Sequence, residues 1–143
     1  MSRSLQLKAI YFDAPNILEM LKALNEGNWS AGAGGFFLYS ISDFDLTDEI
    51  LAESAEMEKI IQVIQLRLDR KQQAAFSVSH PVLGSINICF THIDSRWVVS
   101  AFYACEIQIV DGKFDLNAAQ ALLYPCLVSA SNSLIEYSLH VFC

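Results

Sequence analysis

The stretch AAFSVSHPVLGSINICFTHIDSRWVVSAFYACEIQIV, residues 74–110, contains the pattern that decides the fold. Three runs rich in β-branched and aromatic residues can be recognised in it, namely residues 74–80, 85–93 and 97–110. Turn-forming residues follow each run, namely Pro81 with Gly84, Asp94-Ser95, and Asp111-Gly112. Because short turns connect neighbouring antiparallel strands, the stretch predicts an antiparallel meander.

On the N-terminal side, a strand and a helix are predicted before this meander. Residues 5–12 (LQLKAIYF) are rich in strand-forming residues and predict a first strand. Asp13 is expected to cap a helix that has Pro15 in its first turn and ends at Gly27. The first half of the chain therefore begins as a β-strand followed by an α-helix.

A glycine-rich loop and a long helix are predicted next. Residues 27–35 (GNWSAGAGG) predict a mobile loop that exposes Trp29, and residues 36–42 (FFLYSIS) predict a short strand or an apolar loop. Residues 48–71 place apolar side chains at steps of three and four, with acidic residues in the first half and basic residues at the end. This pattern predicts an amphipathic helix over 48–71, because its charge distribution complements the helix dipole.

The C-terminal segment is notable for its lack of charge. Asp115 is expected to cap a final helical region, and Pro125 is expected to kink or restart it. Between residues 116 and 143 the sole charged side chain is Glu136. A helix this apolar is not expected to face water alone, so this segment is predicted to form a subunit interface that includes Leu134 and Ile135.

Length and composition set limits on the class of protein. The 143 residues predict a single domain, residues 1–143. Charged residues make up 17 % of the chain, against about 25 % in an average soluble domain. The shortage of charge predicts apolar surface that is covered by further copies of the chain or by bound partners. The net charge of −7 favours basic partners and argues against nucleic acid.

No pattern typical of a cofactor, metal or catalytic site occurs. The four cysteines lie singly, so zinc or redox chemistry is not expected. The acidic run between Asp43 and Glu49 lacks the glycine and the terminal glutamate of a calcium-binding loop. A G-x-S-x-G motif and a phosphate-binding loop are also missing, so the chain is not expected to be an enzyme. The sequence has no long apolar run of the length that spans a membrane, and a cytoplasmic location is expected.

Residues 8–16 (KAIYFDAPN), 104–107 (ACEI), 122–125 (LLYP) and 131–135 (SNSLI) together resemble patterns of a known family, the SecB-like chaperones. Residues 8–16 (KAIYFDAPN) resemble the first-strand pattern K-x-I-x-F-[DE]-x-P-N of that family, and residues 104–107 (ACEI) resemble its L-C-E-V strand. Residues 122–125 (LLYP) and 131–135 (SNSLI) are similar to the L-[FY]-P…S-x-L-[IV] pattern of its helix. The stretches occur in the family's order along the chain.

This resemblance implies a fold and an assembly. The fold implied is α+β, with a four-stranded antiparallel sheet and helices on one side, and here the helix predicted over 48–71 would be an insertion. The assembly implied is a dimer of dimers, which is a homotetramer.

The resemblance also implies a function. The chain would be an ATP-independent holdase for unfolded or unstable client proteins. Its departures from the export chaperone favour the solitary bacterial relatives in toxin–antitoxin–chaperone modules, whose client is an antitoxin with a C-terminal extension, over a role with export precursors.

Docking to a SecA-type motor is expected to be weak or absent. The acidic motor-docking positions of the family are matched by Asp13 and Glu106, but Ala9 replaces an acidic residue and Ala104 replaces a leucine. The acidic C-terminal tail that contacts the motor in the family has no counterpart in the sequence.

The predicted client-binding residues lie in one aromatic segment, namely Trp29, Phe36, Phe37 and Tyr39. The alternative for residues 36–39 is that they belong to the hydrophobic core. Two other functions stay open. One is an acidic immunity-type or antitoxin-type protein that neutralises a single folded partner, and the other is a small ligand-binding α+β domain with a cavity between sheet and helix.

Overall fold

A computed structural model describes residues 4–31, 35–46, 48–81, 84–103, 109–110, 113–114 and 134–142. In chain order the elements are β1 (Ser4–Tyr11), α1 (Ile17–Glu26), β2 (Phe36–Ser40), β3 (Ile50–Glu53), a short 3-10 turn (Ser54–Glu56), α2 (Met57–Asp69), β4 (Ala74–His80), β5 (Gly84–Ile93), β6 (Arg96–Tyr103), β7 (Ile109–Val110), β8 (Lys113–Phe114) and β9 (Leu134–Phe142). The described part of the chain is therefore α+β, as predicted.

One antiparallel sheet dominates the fold. Its seven strands follow the order β3-β2-β4-β5-β6-β1-β9, and β7 and β8 form a separate antiparallel pair. The predicted meander is confirmed for β4, β5 and β6, which are neighbours in the sheet. The prediction of four strands is wrong, because β2 also joins the sheet and because β3 and β9 form in segments for which helix was predicted.

The hydrophobic core lies on one face of the sheet. Along β1, every second residue from Leu7 to Tyr11 is fully buried. The residues of β6 that lie opposite these buried positions are buried as well. The buried side chains of both helices belong to the same cluster, namely Ile17, Met20 and Leu24 of α1 and Ile60, Ile61, Ile64 and Leu68 of α2. Both helices thus pack on this inner face, and the opposite face is called the outer face below.

Helix α1 begins later than predicted. Its N-cap is Asn16, whose side-chain Oδ1 accepts a hydrogen bond of 3.1 Å from the backbone N–H of Glu19. Asn16 is three residues before Glu19, which is the spacing that lets a cap side chain reach the first turn. The predicted cap Asp13 and Pro15 both precede the helix, whereas the predicted end at Gly27 is confirmed.

The helix predicted over residues 48–71 is wrong in its first half. Residues 50–53 form β3, in which Leu51 lies opposite Leu38 and Ala52 lies opposite Phe37. Pairing with β2 outweighs the local helix propensity of this segment, because propensities are small compared with tertiary contacts. The second half is helical as α2, and Gln65 on it accepts a hydrogen bond from the backbone N–H of Ile17 at 2.8 Å.

The C-terminal helix prediction is also corrected. Residues 134–142 form β9, which pairs antiparallel with β1, and Leu139 lies opposite Leu7. A strand here satisfies the backbone groups on the second edge of β1, which an isolated helix would leave without partners. Residues 115–133, which include Asp115 and Pro125, lie outside the described residues.

Candidate functional site

The clearest exposed apolar surface lies at one end of the outer face. Phe36 and Leu38 of β2 point to this face together with Leu51 of β3, because Leu38 and Leu51 are direct cross-strand partners. The exposed fractions of the three side chains are 54 %, 37 % and 60 %. Phe36, Leu38 and Leu51 are called the edge patch below.

The edge patch borders an open strand edge. Among the strands that the structure describes, β3 pairs with β2 alone, so one row of its backbone N–H and C=O groups has no strand beside it. Ile50 exposes a second large apolar side chain on the inner side of the same strand. An edge of this kind can accept an extended chain as an additional strand.

Acidic side chains surround this edge. Asp48 and Glu49 precede β3 directly, Glu53 ends it, and all three are exposed. Asp43 is also acidic, but it forms a 2.6 Å ion pair with Arg67 of α2. The potential beside the edge patch is therefore negative, which favours basic segments and disfavours acidic ones.

Two of the four predicted client-binding residues belong to the core. Trp29 and Phe37 are each 1 % exposed. The ring of Trp29 lies 5.0 Å from that of His80, and the ring of Phe37 lies 5.9 Å from that of Tyr39. The expectation that Trp29 is exposed is wrong. Phe36 is exposed, as a contact residue needs to be, and Tyr39 is half-buried.

Backbone contacts explain why Trp29 is buried. Its N–H donates a 2.9 Å hydrogen bond to the carbonyl of Leu24 at the end of α1, and Ser30 forms a two-way bridge with Ser79 of β4, at 2.8 and 2.9 Å. The chain is therefore held against both elements on either side of the tryptophan. Residues 32–34, which include two of the glycines of this loop, lie outside the described residues.

The same bridge marks the place where β2 and β4 diverge. β2 pairs with β4 at two positions only, Tyr39 with Phe76 and Ser40 with Ala75. Ser30 takes the pairing position farther along β4, so the two strands diverge there. A cavity of about 270 Å³ lies at the point where they are still paired, lined by Tyr39, Ser40, Leu46, Glu49, Ala75, Phe76, Ser77, Asn87 and Cys89.

A second recess continues from this cavity toward the edge patch. Its volume is about 340 Å³, and its lining includes all three edge-patch residues. Glu49, Ser77 and Asn87 line both spaces, so the cavity and the edge patch form one continuous groove on the outer face.

Two polar features distinguish the floor of the cavity. Ser40 is 1 % exposed, and its hydroxyl has no hydrogen-bond partner among the described residues. Ser77 donates a hydrogen bond through its hydroxyl to Oδ1 of Asn87. Burial raises the pKa of the Cys89 thiol above its ordinary value, and the negative charge of Glu49 raises it further.

Cys89 is therefore expected to react slowly with iodoacetamide. At pH 8 a raised pKa leaves less thiolate, so alkylation should be slower than that of a free thiol, and Glu49→Gln should accelerate it. The tryptic peptide of residues 72–96 contains Cys89 as its single cysteine, so mass spectrometry can follow this site alone. A rate equal to that of a free thiol would contradict this description of the cavity wall.

The other predicted site residues are not brought together. Asp13 is exposed in the turn after β1, and Glu106 lies outside the described residues. Leu134 and Ile135 are the first residues of β9, so the interface predicted there is not on a helix. Across the described ranges, no three His, Cys, Asp or Glu side chains converge as metal ligands. Within those same ranges, no helix combines the length and apolar character needed to cross a membrane.

Four residues of this groove were not predicted from the sequence, namely Leu38, Leu51, Ser40 and Asn87. The signal for Leu38 was the period-two pattern of residues 36–40. In that pattern Phe36 and Leu38 share one face of a strand, and Phe37 and Tyr39 share the other. Leu51 was hidden by the helix predicted over its segment.

Comparison of the chain with protein-family models, with curated proteins and with solved structures found no match.

Proposed function

We propose that this chain is an ATP-independent holdase that binds extended segments of unfolded or unstable client proteins along β3. The observation that supports it best is the edge patch, in which Phe36, Leu38 and Leu51 are exposed beside an open strand edge. A client segment would pair its backbone with β3 and place alternate side chains on the patch. Recognition of this kind requires no catalytic residue and no cofactor.

The size of the patch limits the affinity of one site. Burying a leucine or phenylalanine side chain completely contributes about 1.5–3 kcal/mol, and the three side chains are already partly covered. Part of this gain is offset by the cost of ordering the client. A single edge should therefore bind weakly, whereas a dimer of dimers would present several edges to one client and gain affinity through multivalency.

The acidic residues around β3 define the client further. They favour apolar segments that carry basic residues, and they repel other copies of the chain from the open edge. Within a cytoplasmic toxin–antitoxin–chaperone module, the client would be the unstable antitoxin, and in an export setting it would be a precursor protein. Docking to a SecA-type motor is proposed to be weak or absent, because Ala9 stands where the family has an acidic residue and Ala104 stands where it has a leucine.

Assembly is predicted to be at least dimeric. Light scattering at micromolar concentration should give a mass above the 15.9 kDa of one chain. Leu134→Lys or Ile135→Lys should dissociate the assembly, because an unpaired charge in an apolar interface is costly. A monodisperse monomer for the unaltered chain would contradict the prediction and weaken the proposed function.

Client breadth tests the proposal against the alternative of an immunity-type protein. The chain should slow the aggregation of two or more unrelated proteins diluted from denaturant, without nucleotide. It should also bind their unfolded forms in preference to their folded forms. Tight binding to one folded partner, with no effect on aggregation, would instead support the immunity-type alternative.

A further inference from the structure

We infer that the cavity lined by Ser40, Ala75 and Cys89 is a binding site for a small organic cation, an apolar group that carries one amine. The site is distinct from the edge patch, although the same groove connects them. The inference does not depend on the proposed chaperone function.

The placement of the cavity follows from strand register. Ser40 lies opposite Ala75, and Ala75 lies opposite Cys89, so the three side chains form one row across β2, β4 and β5 on the outer face. Leu46 and Glu49, from the segment between β2 and β3, complete the lining. The cavity is thus enclosed between the outer face and this segment, not between the sheet and the helices.

Size and lining restrict the ligand. At about 270 Å³ the cavity is smaller than the roughly 300–1,000 Å³ that is typical of sites for drug-sized ligands, so it suits a group about the size of one aromatic ring with a short substituent. Its wall includes the apolar side chains of Leu46 and Ala75, whereas the rings of the lining residues Tyr39 and Phe76 belong to the inner face. The body of the ligand should therefore be apolar.

The buried hydroxyl of Ser40 indicates that the ligand also has a polar group. A buried hydroxyl without a partner is unfavourable, and native proteins contain few of them. Ser40 lines the cavity, and a ligand that donates a hydrogen bond to its Oγ would remove this cost. The polar group is thus expected at the Ser40 side of the cavity.

The charge of Glu49 selects a cation. The carboxylate lines the cavity and acts on the thiol across it, where it disfavours the negatively charged form. The same potential that disfavours an anion at that wall favours an ammonium group. An ammonium group is a donor only, so it can bond to both the Ser40 hydroxyl and the Glu49 carboxylate.

Three probes of similar shape and different charge test the inference. Benzylamine, benzyl alcohol and benzoate are titrated into the full chain, and amide shifts are followed by NMR. Benzylamine should bind with millimolar or lower Kd and shift the amides of residues 40, 75–77 and 87–89. Benzyl alcohol should bind about tenfold more weakly, and benzoate should not bind.

Four variants localise the effect. Glu49→Gln and Ser40→Ala should each weaken benzylamine binding by about fivefold to tenfold, and Ala75→Val should abolish it by filling the cavity. Glu53→Gln, which removes an acid of the same strand edge outside the cavity, should leave it unchanged. Ser40→Ala should also retain or raise the melting temperature, because it removes a buried hydroxyl without a partner.

Equal binding of the amine and the alcohol, or benzylamine shifts confined to residues 50–53, would overturn the inference.

Discussion

Replacing Trp29 by alanine should lower the free energy of unfolding by about 3–5 kcal/mol, the range for large-to-small changes of buried aromatic residues. The ring is 1 % exposed and packs beside His80, so its removal leaves a cavity under the sheet. Phe37→Ala should have an effect of similar size. Urea denaturation followed by circular dichroism measures both.

Phe36→Ala is the matched control for these two variants. Its side chain is 54 % exposed on the outer face, so its loss should cost less than about 1 kcal/mol. If Trp29→Ala were as stable as Phe36→Ala, the tryptophan would not be a core residue, and the burial described here would be wrong.

The second large effect is expected on client binding. The double variant Leu38→Ser with Leu51→Ser removes the cross-strand pair at the centre of the edge patch. Suppression of aggregation should then require roughly tenfold more protein, since a loss of about 1.4 kcal/mol changes affinity tenfold. The melting temperature should change little, because both side chains are substantially exposed.

Ile93→Ser provides the control for the double variant. Ile93 is 53 % exposed at the far end of β5, where it lies opposite Arg96 and outside the groove. The Ile93→Ser variant should suppress client aggregation as well as the unaltered chain does. If Ile93→Ser reduced activity as much as the double variant, general surface hydrophobicity would explain client binding and the edge patch would not.

The parts of the fold that were predictable depend on local signals. Strand β4 has the predicted bounds, and β5 begins one residue earlier than predicted. Each strand is followed directly by a residue with a strong turn preference, Pro81 or Asp94. Helix α1 ends at Gly27 for a similar reason. In α2, Ile60, Ile64 and Leu68 repeat at the helical period and are buried as the pattern indicated.

The parts that were missed depend on partners distant in sequence. β3 is a strand because β2 lies beside it, and β9 is a strand because β1 has a second edge to fill. Neither partner is visible in the segment itself. The burial of Trp29 has the same origin, since the bridge between Ser30 and Ser79 joins positions that are far apart in the chain.

The candidate site was predictable in part. The aromatic segment 36–39 stands out in the sequence, but choosing the exposed residues in it required a definite strand assignment and its period of two. The cavity at Ser40 was beyond reach, because it depends on where β2 stops pairing with β4 and on how the segment after β2 folds over the sheet.

Hydrogen exchange of β3 tests the central claim most directly. The chain is compared alone and in complex with an unfolded protein whose aggregation it suppresses, and amide exchange is read by mass spectrometry or NMR. If the client adds a strand to the open edge, those amides of residues 50–53 that point away from β2 should exchange at least tenfold more slowly in the complex. Unchanged exchange at residues 50–53 in a complex that is fully formed would contradict the proposed binding mode.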